Sequence, residues 1–377
     1  QDATGAGESV TLSDALDEVL GEGTAANAEG KADAISWRVV RDTRGIVTLY
    51  VEGEGGIPDY GSYNNQPWRK VATSAALNNI MVGEGITRVG DRGFDTLRAD
   101  GTLSLPSTLK SVGVYAFAYN SFFGTVAIPD AVTSVGSYAF RNESNNNTIE
   151  KFVFGSGVKT IGTYALYGAI APDGEVVLPS GLQSVDAFSF YNCAASSIVI
   201  SGNTENSKFF VGEADGVLYR RNGGDPETWT VVKYPANRRA TEYVMPDQVT
   251  AVDQQAFRYC KQLQKITIPD SVQVTIPEAA FSYSDFSEVS IGSGATISNM
   301  NSLFYECDML RRVEISEDAE CGTSFKAVYS GAHALEEATI PASITTIGSD
   351  AFQGCYALRR LEYDAANAES FPTTFAS

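Results

Sequence analysis

The stretch TVAIPDAVTSVGSYAF at residues 125–140 decides the fold, because close copies of it recur along the chain. TLSLPSTLKSVGVYAF at 102–117 lies 23 residues upstream, and ATIPASITTIGSDAF at 338–352 repeats the pattern near the end. A repeat period of about 20 to 50 residues is typical of solenoids. The sequence therefore predicts one stacked array rather than a string of separate domains.

Each repeat places apolar residues at four fixed positions. We number the apolar residue before the recurrent proline as position 0, and the other three follow four, seven and twelve residues later, as in Ile128, Val132, Val135 and Phe140. A polar residue separates position 0 from the apolar residue two before it, which is the pattern of a half-buried strand. The proline lacks an N–H group and predicts the end of that strand.

Apolar strand pairs of this kind number twelve. They predict a β-rich leucine-rich repeat solenoid of about twelve coils of about 23 residues, with one short parallel strand per coil and a stack roughly 50 Å long. The pairs are Ile80/Val82, Leu103/Leu105, Val126/Ile128, Phe152/Phe154, Val176/Leu178, Ile198/Ile200, Tyr243/Met245, Ile266/Ile268, Val289/Ile291, Val313/Ile315, Ala338/Ile340 and Leu361/Tyr363.

Glycine recurs eight residues after position 0, for example at Gly90, Gly113, Gly136 and Gly162. A glycine at a fixed point in a turn indicates either a positive φ or a close approach of two backbones. The sequence leaves both explanations open.

The phrases AFRYC (256–260), SFYNC (189–193), LFYEC (303–307) and AFQGC (351–355), with patterns such as LQKITIP, resemble the BspA-like leucine-rich repeat family of bacterial surface proteins. The resemblance covers about residues 80–377. Upstream, ISWRVV and TLYVEGEGGIPDY look like the hairpin module before the first repeat, and ADGVLYRR with VVKYP looks like the family's hairpin insertion. The resemblance implies an extracellular or cell-surface protein with a role in adhesion.

The same patterns suggest a division of the chain. Residues 1–34 form an acidic, Ala- and Gly-rich flexible leader, 35–79 an N-terminal hairpin cap, and 80–377 the solenoid, with an inserted hairpin arm at 201–242. Four apolar residues of the leader share one helical face and predict a short helix, either free in the leader or docked on the protein: Leu12, Leu16, Val19 and Leu20. The chain stops within a coil, so it is either cut from a longer protein or capped by the half-coil with Phe371 and Phe375.

Composition excludes several functions. Lysine and arginine total 27 against 46 acidic residues, a net charge of -19, which disfavours nucleic acid and anionic membranes as partners. The single histidine, His333, rules out multi-histidine metal centres within this chain and is expected at the surface. Glu317, Asp318 and Glu320 lack the spacing of a calcium loop. The sequence predicts no enzyme, no cofactor, no metal site and no membrane insertion.

Four of the five cysteines follow the position-12 residue by three: Cys193, Cys260, Cys307 and Cys355. They mark one place on the coil, and their separation of about two coils exceeds disulfide distance for the later three. We expect buried free thiols that pack as small apolar residues. Cys321 is out of phase, and either remains free or reaches Cys307.

A regular sheet face with variable outward residues predicts an adhesin-like module that recognises a host or neighbouring-cell protein or glycan. A structural stalk within a larger surface protein is the alternative. The candidate ligand-binding residues lie on the outward sheet face and on the locally basic arm: Lys265, Thr267, Arg312, Glu314, Arg360, Glu362, Arg220, Arg221 and Lys233.

Overall fold

The inward apolar pairs of successive coils lie side by side in the computed structural model, which describes residues 17–142, 148–203, 205 and 207–363. Phe152, for example, is paired in parallel register with Val126 on one side and Val176 on the other. Twelve such strands follow one another, one per predicted pair. The predicted solenoid of about twelve coils is confirmed.

The N-terminal segment covers the first edge of this array. The strands β2 (Ile35–Arg41) and β3 (Val47–Gly53) form an antiparallel hairpin, and β3 is paired in parallel with the first solenoid strand, β5 (Asn79–Val82). The elements of this segment are β1 Glu18–Ala25, β2 Ile35–Arg41, β3 Val47–Gly53, β4 Gly55–Ile57, a 3-10 turn Tyr63–Asn65, α1 Arg69–Ser74 and then β5 Asn79–Val82.

Strand β1 is a correction to the predicted leader, because Val19 and Leu20 lie in a strand paired antiparallel with β2 and not in a helix. Glycine disfavours helix, and here it allows close packing. A Cβ at Gly21 would come within 2.8 Å of Val71, and one at Gly23 within 2.9 Å of Trp37. Leu12, Leu16 and the rest of 1–16 lie outside the described residues, as do Phe371 and Phe375.

Most coils contain a second, shorter strand after the proline turn, which the one-strand prediction did not include. In most coils it carries the position-7 residue inward, and these second strands are paired in parallel with one another in three separate groups along the chain. The first-half strands are β6 Ile86–Val89, β7 Leu103–Ser104, β8 Ser111–Val112, β9 Gly124–Ile128, β10 Ser134–Val135, β11 Ile149–Phe154, β12 Thr160–Ile161, β13 Ile170–Pro179 and β14 Ser197–Ser201, with a 3-10 turn Ala187–Phe190 between the last two.

The second half repeats this arrangement after the insertion. Its strands are β15 Phe209–Val211, β16 Leu218–Gly223, β17 Thr228–Lys233, β18 Glu242–Val244, β19 Val249–Val252, β20 Lys265–Ile268, β21 Val274–Thr275, β22 Glu288–Ile291, β23 Ala295–Ile297, β24 Arg312–Ile315, β25 Glu320–Cys321, β26 Ser324–Phe325, β27 Glu337–Ile340, β28 Thr346–Ile347 and β29 Arg360–Tyr363.

The recurrent glycines are explained by close backbone approach. A Cβ at Gly136 would lie 2.5 Å from the carbonyl carbon of Gly113, and one at Gly162 would lie 2.4 Å from the backbone nitrogen of Ser137. Neither glycine has a positive φ; that conformation falls two residues later, on Tyr138 and Tyr164 (φ 58° and 59°). The coils therefore pack backbone against backbone at these glycines.

Carboxylates after the strands link neighbouring coils. Asp130 Oδ1 accepts a hydrogen bond from the Ser156 backbone N–H at 2.7 Å, and Glu84 Oε1 accepts one from Ser107 at 2.9 Å. These backbone hydrogen bonds stabilise the charged carboxylates and lower the pKa of both Asp130 and Glu84. Asp270 makes the same contact with Ser293.

These contacts predict loss of stability in acid. Because the folded-state pKa of Asp130 is lower than the unfolded one, its stabilising effect is present above about pH 4 and disappears as pH falls. We expect the difference in unfolding free energy between the wild type and Asp130→Asn to be largest near neutral pH and to shrink in acid. Urea unfolding at pH 7 and pH 3 measures it. A difference that is the same at both pH values would contradict this assignment.

The inserted strands β15, β16 and β17 lie inside the solenoid and do not project from it as the predicted arm. We call these three strands the wall. Strands β15, β16 and β17 are antiparallel, and β17 is then paired in parallel with β19. Alternate residues point to opposite faces. Leu218 and Val232 belong to the hydrophobic core of the first half, whereas Tyr219 and Val231 belong to the core of the second half.

The wall predicts that each core responds separately to damage. Phe117 and Phe281 are buried in the first and second cores, and replacing either with alanine should cost about 3 to 5 kcal/mol. Hydrogen exchange measured by mass spectrometry should show faster exchange in residues 80–200 for Phe117→Ala and in 243–360 for Phe281→Ala. Equal acceleration in both halves by either variant would show a single cooperative core.

Candidate binding surfaces

The outward sheet residues of the second half form one row across six strands. Parallel pairing aligns the residue three before position 0 in β18, β20, β22, β24, β27 and β29. We call this row the charge ladder, and its members in order are Glu242, Lys265, Glu288, Arg312, Glu337 and Arg360.

The charges of the ladder alternate strictly in sign. Lys265 Nζ lies 3.9 Å from a Glu288 oxygen, and Arg312 Nε lies 3.5 Å from a Glu337 oxygen. The acidic Glu337 stands between Arg312 and Arg360, so the two arginines do not form a basic patch. The ladder therefore has no net charge, and its positive and negative side chains alternate at regular spacing.

The next outward row carries the remaining sheet candidates. Glu314 forms an ion pair with Arg312 at 2.6 Å, and Glu362 forms one with Arg360 at 2.7 Å. Thr267 is half-buried in the same row. Arg360 and Glu362 keep 62% and 60% of their side-chain surface exposed, so a partner can reach both members of a pair.

The basic residues of the insertion do not form a free surface. Lys233 is 3% exposed, and its Nζ donates to the backbone oxygens of Gln255 and Arg258 at 3.3 and 3.0 Å. Burial lowers the pKa of this amine. The prediction that Lys233 contacts a ligand is wrong, because Lys233 lies in the buried part of β17, residues 230–233.

The two arginines of β16 are engaged by neighbouring acids. Arg220 makes two hydrogen bonds of 3.0 Å to the carboxylate of Asp253, and Arg221 pairs with Glu227 at 2.5 Å. The guanidinium of Arg221 also covers the ring of Phe210 at 4.4 Å. Arg220 therefore ties the insertion to the turn after β19, whereas Arg221 holds the inserted strands to one another.

A column of half-buried tyrosines follows the turns, and the sequence analysis did not recognise it. Tyr115 and Tyr138 are stacked with ring centroids 4.7 Å apart, and Tyr138 and Tyr164 at 4.9 Å. The signal was visible, since each tyrosine stands two residues before position 12. The ring faces contact one another, so ring edges and hydroxyls are what this side presents to solvent.

A second group of tyrosines, which stand after position 12, joins the two halves across the insertion. Tyr191 contacts Tyr259 at 5.8 Å, and Arg258 lies over the rings of Tyr191, Tyr259 and Tyr283 at 5.0, 4.9 and 4.0 Å. Arg258 Nη2 donates to the hydroxyl of Tyr191 at 2.9 Å. Because these tyrosines and Arg258 contact one another within the chain, we infer that their role is structural.

The recurrent cysteines are free and buried, as predicted, and they also act as donors. Cys307 Sγ lies 3.1 Å from the carbonyl oxygen of Phe281, one coil earlier, and Cys355 Sγ lies 3.2 Å from that of Tyr329. Ser284 makes the corresponding bond with its hydroxyl. This position therefore selects a small side chain that satisfies a buried carbonyl. Cys321 is free and partly buried, so the alternative disulfide with Cys307 is not formed.

Burial makes these thiols unreactive. It raises the pKa of Cys193 to about 11 and those of Cys260, Cys307 and Cys355 to about 12, so almost no thiolate exists at pH 8. We expect a thiol reagent to label Cys321 first in the native protein, and all five cysteines after denaturation without reductant. Peptide mapping after timed labelling would show it. Rapid native labelling of the four buried sites would refute the assignment.

The remaining predictions concern His333, metal binding and membrane insertion. His333 keeps 51% of its side chain exposed, and its Nδ1 lies 2.9 Å from an Asp308 oxygen. Within the described part of the chain, no group of three or more His, Cys, Asp or Glu residues is arranged to hold a metal ion. No helix among the described residues has the length and apolar character to cross a membrane.

Solved bacterial structures share this fold. A leucine-rich repeat protein from Eubacterium ventriosum is 24% identical, with a TM-score of 0.68 over 86% of this chain and 82% of that one. The pneumococcal vaccine antigen PcpA is 16% identical, with a TM-score of 0.64 over 89% and 88% of the two chains. A leucine-rich cell surface protein from Faecalibacterium prausnitzii is 19% identical, with a TM-score of 0.54 over 88% and 93%. No curated protein sequence gives a significant match.

The repeat pattern itself matches a family model. The model of the BspA type leucine-rich repeat region matches in six copies, over residues 72–173, 144–210 and 236–359. These segments cover more than half of the chain and contain the inward apolar pairs of most coils. The chain therefore belongs to the BspA-type leucine-rich repeat family.

Proposed function

We propose that this chain is an extracellular or cell-surface binding module with an adhesin-like role, which recognises a protein or glycan through its outward sheet face. Membership in the BspA-type family supports a surface role, as does the fold shared with a leucine-rich cell surface protein and with a vaccine antigen. The function requires recognition and no chemical step.

The charge ladder is the observation that carries this proposal. Six adjacent strands present charged side chains in register, on a sheet whose inward residues are fixed by the core. A rigid sheet fixes the backbone position of each charged residue, so binding costs less conformational entropy than it would on a flexible loop. Together with Thr267, Glu314 and Glu362, the ladder offers a partner both charge signs at fixed spacing.

Charge reversal on this face is the test. Arg312→Glu with Arg360→Glu should leave the melting temperature nearly unchanged, because both side chains are exposed, while weakening binding at least about tenfold. Binding is measured by surface plasmon resonance on immobilised matrix proteins and on a glycan array. Added salt should also weaken binding, since exposed charge contacts are screened over about 8 to 10 Å at physiological ionic strength.

A matched control separates a local effect from a change in net charge. Arg38→Glu with Lys151→Glu makes the same change in net charge at two exposed ion pairs in the N-terminal half of the protein. This control should bind as the wild type does. If the ladder double variant binds as tightly as the control double variant does, the ligand binds at a surface other than the ladder. If the screen finds no ligand at all, the alternative of a structural stalk is favoured.

A further inference from the structure

We infer that the charge ladder also binds a second copy of the same chain, related by a two-fold axis that runs parallel to the strands. This inference rests on the proposed binding function and names a partner for it. The two solenoids would face each other through this sheet, with their long axes antiparallel. Such an interface is isologous, because the same patch serves both copies.

The sign pattern of the ladder is complementary to its own reverse. Six charges alternate from Glu242 to Arg360, so reversing their order changes the sign at every position. Around an axis between β22 and β24, Glu242 faces Arg360 of the second copy and Glu288 faces Arg312. Lys265 faces Glu337 in the same way. A row with an odd number of members, or with two like charges in sequence at its centre, would not have this property.

The flanking rows add no like-charge contact in this orientation. In the row of Glu314, that residue faces Ser290 and Glu362 faces Val244, with Thr267 facing Thr339. In the row before the ladder, Arg359 faces Thr241 and Glu336 faces Gln264. By contrast, two copies stacked with parallel axes would place each ladder charge opposite its own kind, and like charges facing each other oppose association.

The contact is small and therefore weak between single molecules. Six strands about 4.8 Å apart and four residues long give about 300 Å² per partner, well below the roughly 800 Å² of a stable complex. Exposed ion pairs each contribute little binding energy. Many copies displayed on two opposing surfaces would act together and bind far more tightly. Antiparallel solenoid axes are the arrangement that chains projecting from two facing surfaces adopt.

Ionic strength should affect this contact in two directions. Each chain carries a net charge of -19, so two copies repel each other at long range in dilute salt. At about 0.15 M salt the screening length is about 8 Å, which suppresses that repulsion more than it suppresses facing charges in contact. Self-association should therefore be strongest at intermediate salt and weaker at both extremes.

Clumping of beads coated with the full chain tests the inference, because beads supply multivalency. Wild-type beads should clump at about 0.15 M salt. Arg312→Glu places a carboxylate opposite Glu288 at both equivalent contacts of the dimer, and Glu288→Arg places two arginines opposite each other, so beads with either variant alone should remain dispersed. A mixture of the two variant beads restores opposite charges at both contacts and should clump. A contact in which residue 288 of one copy faces residue 312 of another predicts this rescue, and a change in net charge alone does not.

Lys151→Glu is the control for net charge, since it changes the charge as much as Arg312→Glu does, on the other half of the sheet face. Beads with Lys151→Glu should clump as the wild type does, and circular dichroism should show all variants folded. Dispersed wild-type beads across the salt series, or clumping of Arg312→Glu beads alone, would overturn the inference. Dispersed beads that still bind a matrix protein or glycan would overturn it while leaving the proposed function standing.

Discussion

The column of aromatic rings at position 12 is the interaction on which the solenoid depends. Phe94, Phe117 and Phe140 are stacked with centroids 5.3 and 5.2 Å apart, and all are buried. Each ring fills the space between two coils, so no coil can bury its apolar face without its neighbours. The spacing of the rings matches that of hydrogen-bonded strands, and this agreement holds the backbone and the core in one repeat.

The insertion divides the core and contributes an aromatic ring to its second part. Tyr234, at its end, is stacked 5.8 Å from Phe257 and so supplies the ring that a coil would otherwise provide. The alternation of β16 and β17 sends neighbouring residues into different cores. The polar groups that this wall buries, such as Lys233, are held by backbone oxygens. Its tight packing leaves the insertion little surface for a ligand.

The same register that builds the core also builds the candidate binding surface. Inward residues must pair with their equivalents in the next coil, and the outward residues between them are therefore placed in equally strict rows. Glu288 and Arg312 are neighbours because Val289 and Val313 pack together beneath them. A sheet of this kind converts a repeat in the sequence into a repeat of charge about every 4.8 Å.

The sequence by itself determined the coils, the inward residues, the buried free cysteines and the exposed His333, because period-two alternation and the recurrent proline report burial locally. It did not reveal the second strand of most coils, which is two to four residues long and too short to carry a period. Only the tertiary structure decided that β1 is paired with β2 and that the insertion is a wall, since both depend on what lies on the far side of a strand. It likewise decided that Arg312 stands between acids and that Lys233 is buried. The charge of a residue is written in the sequence, but its electrostatic effect depends on its neighbours across the sheet, and pairing between distant segments brings those neighbours together.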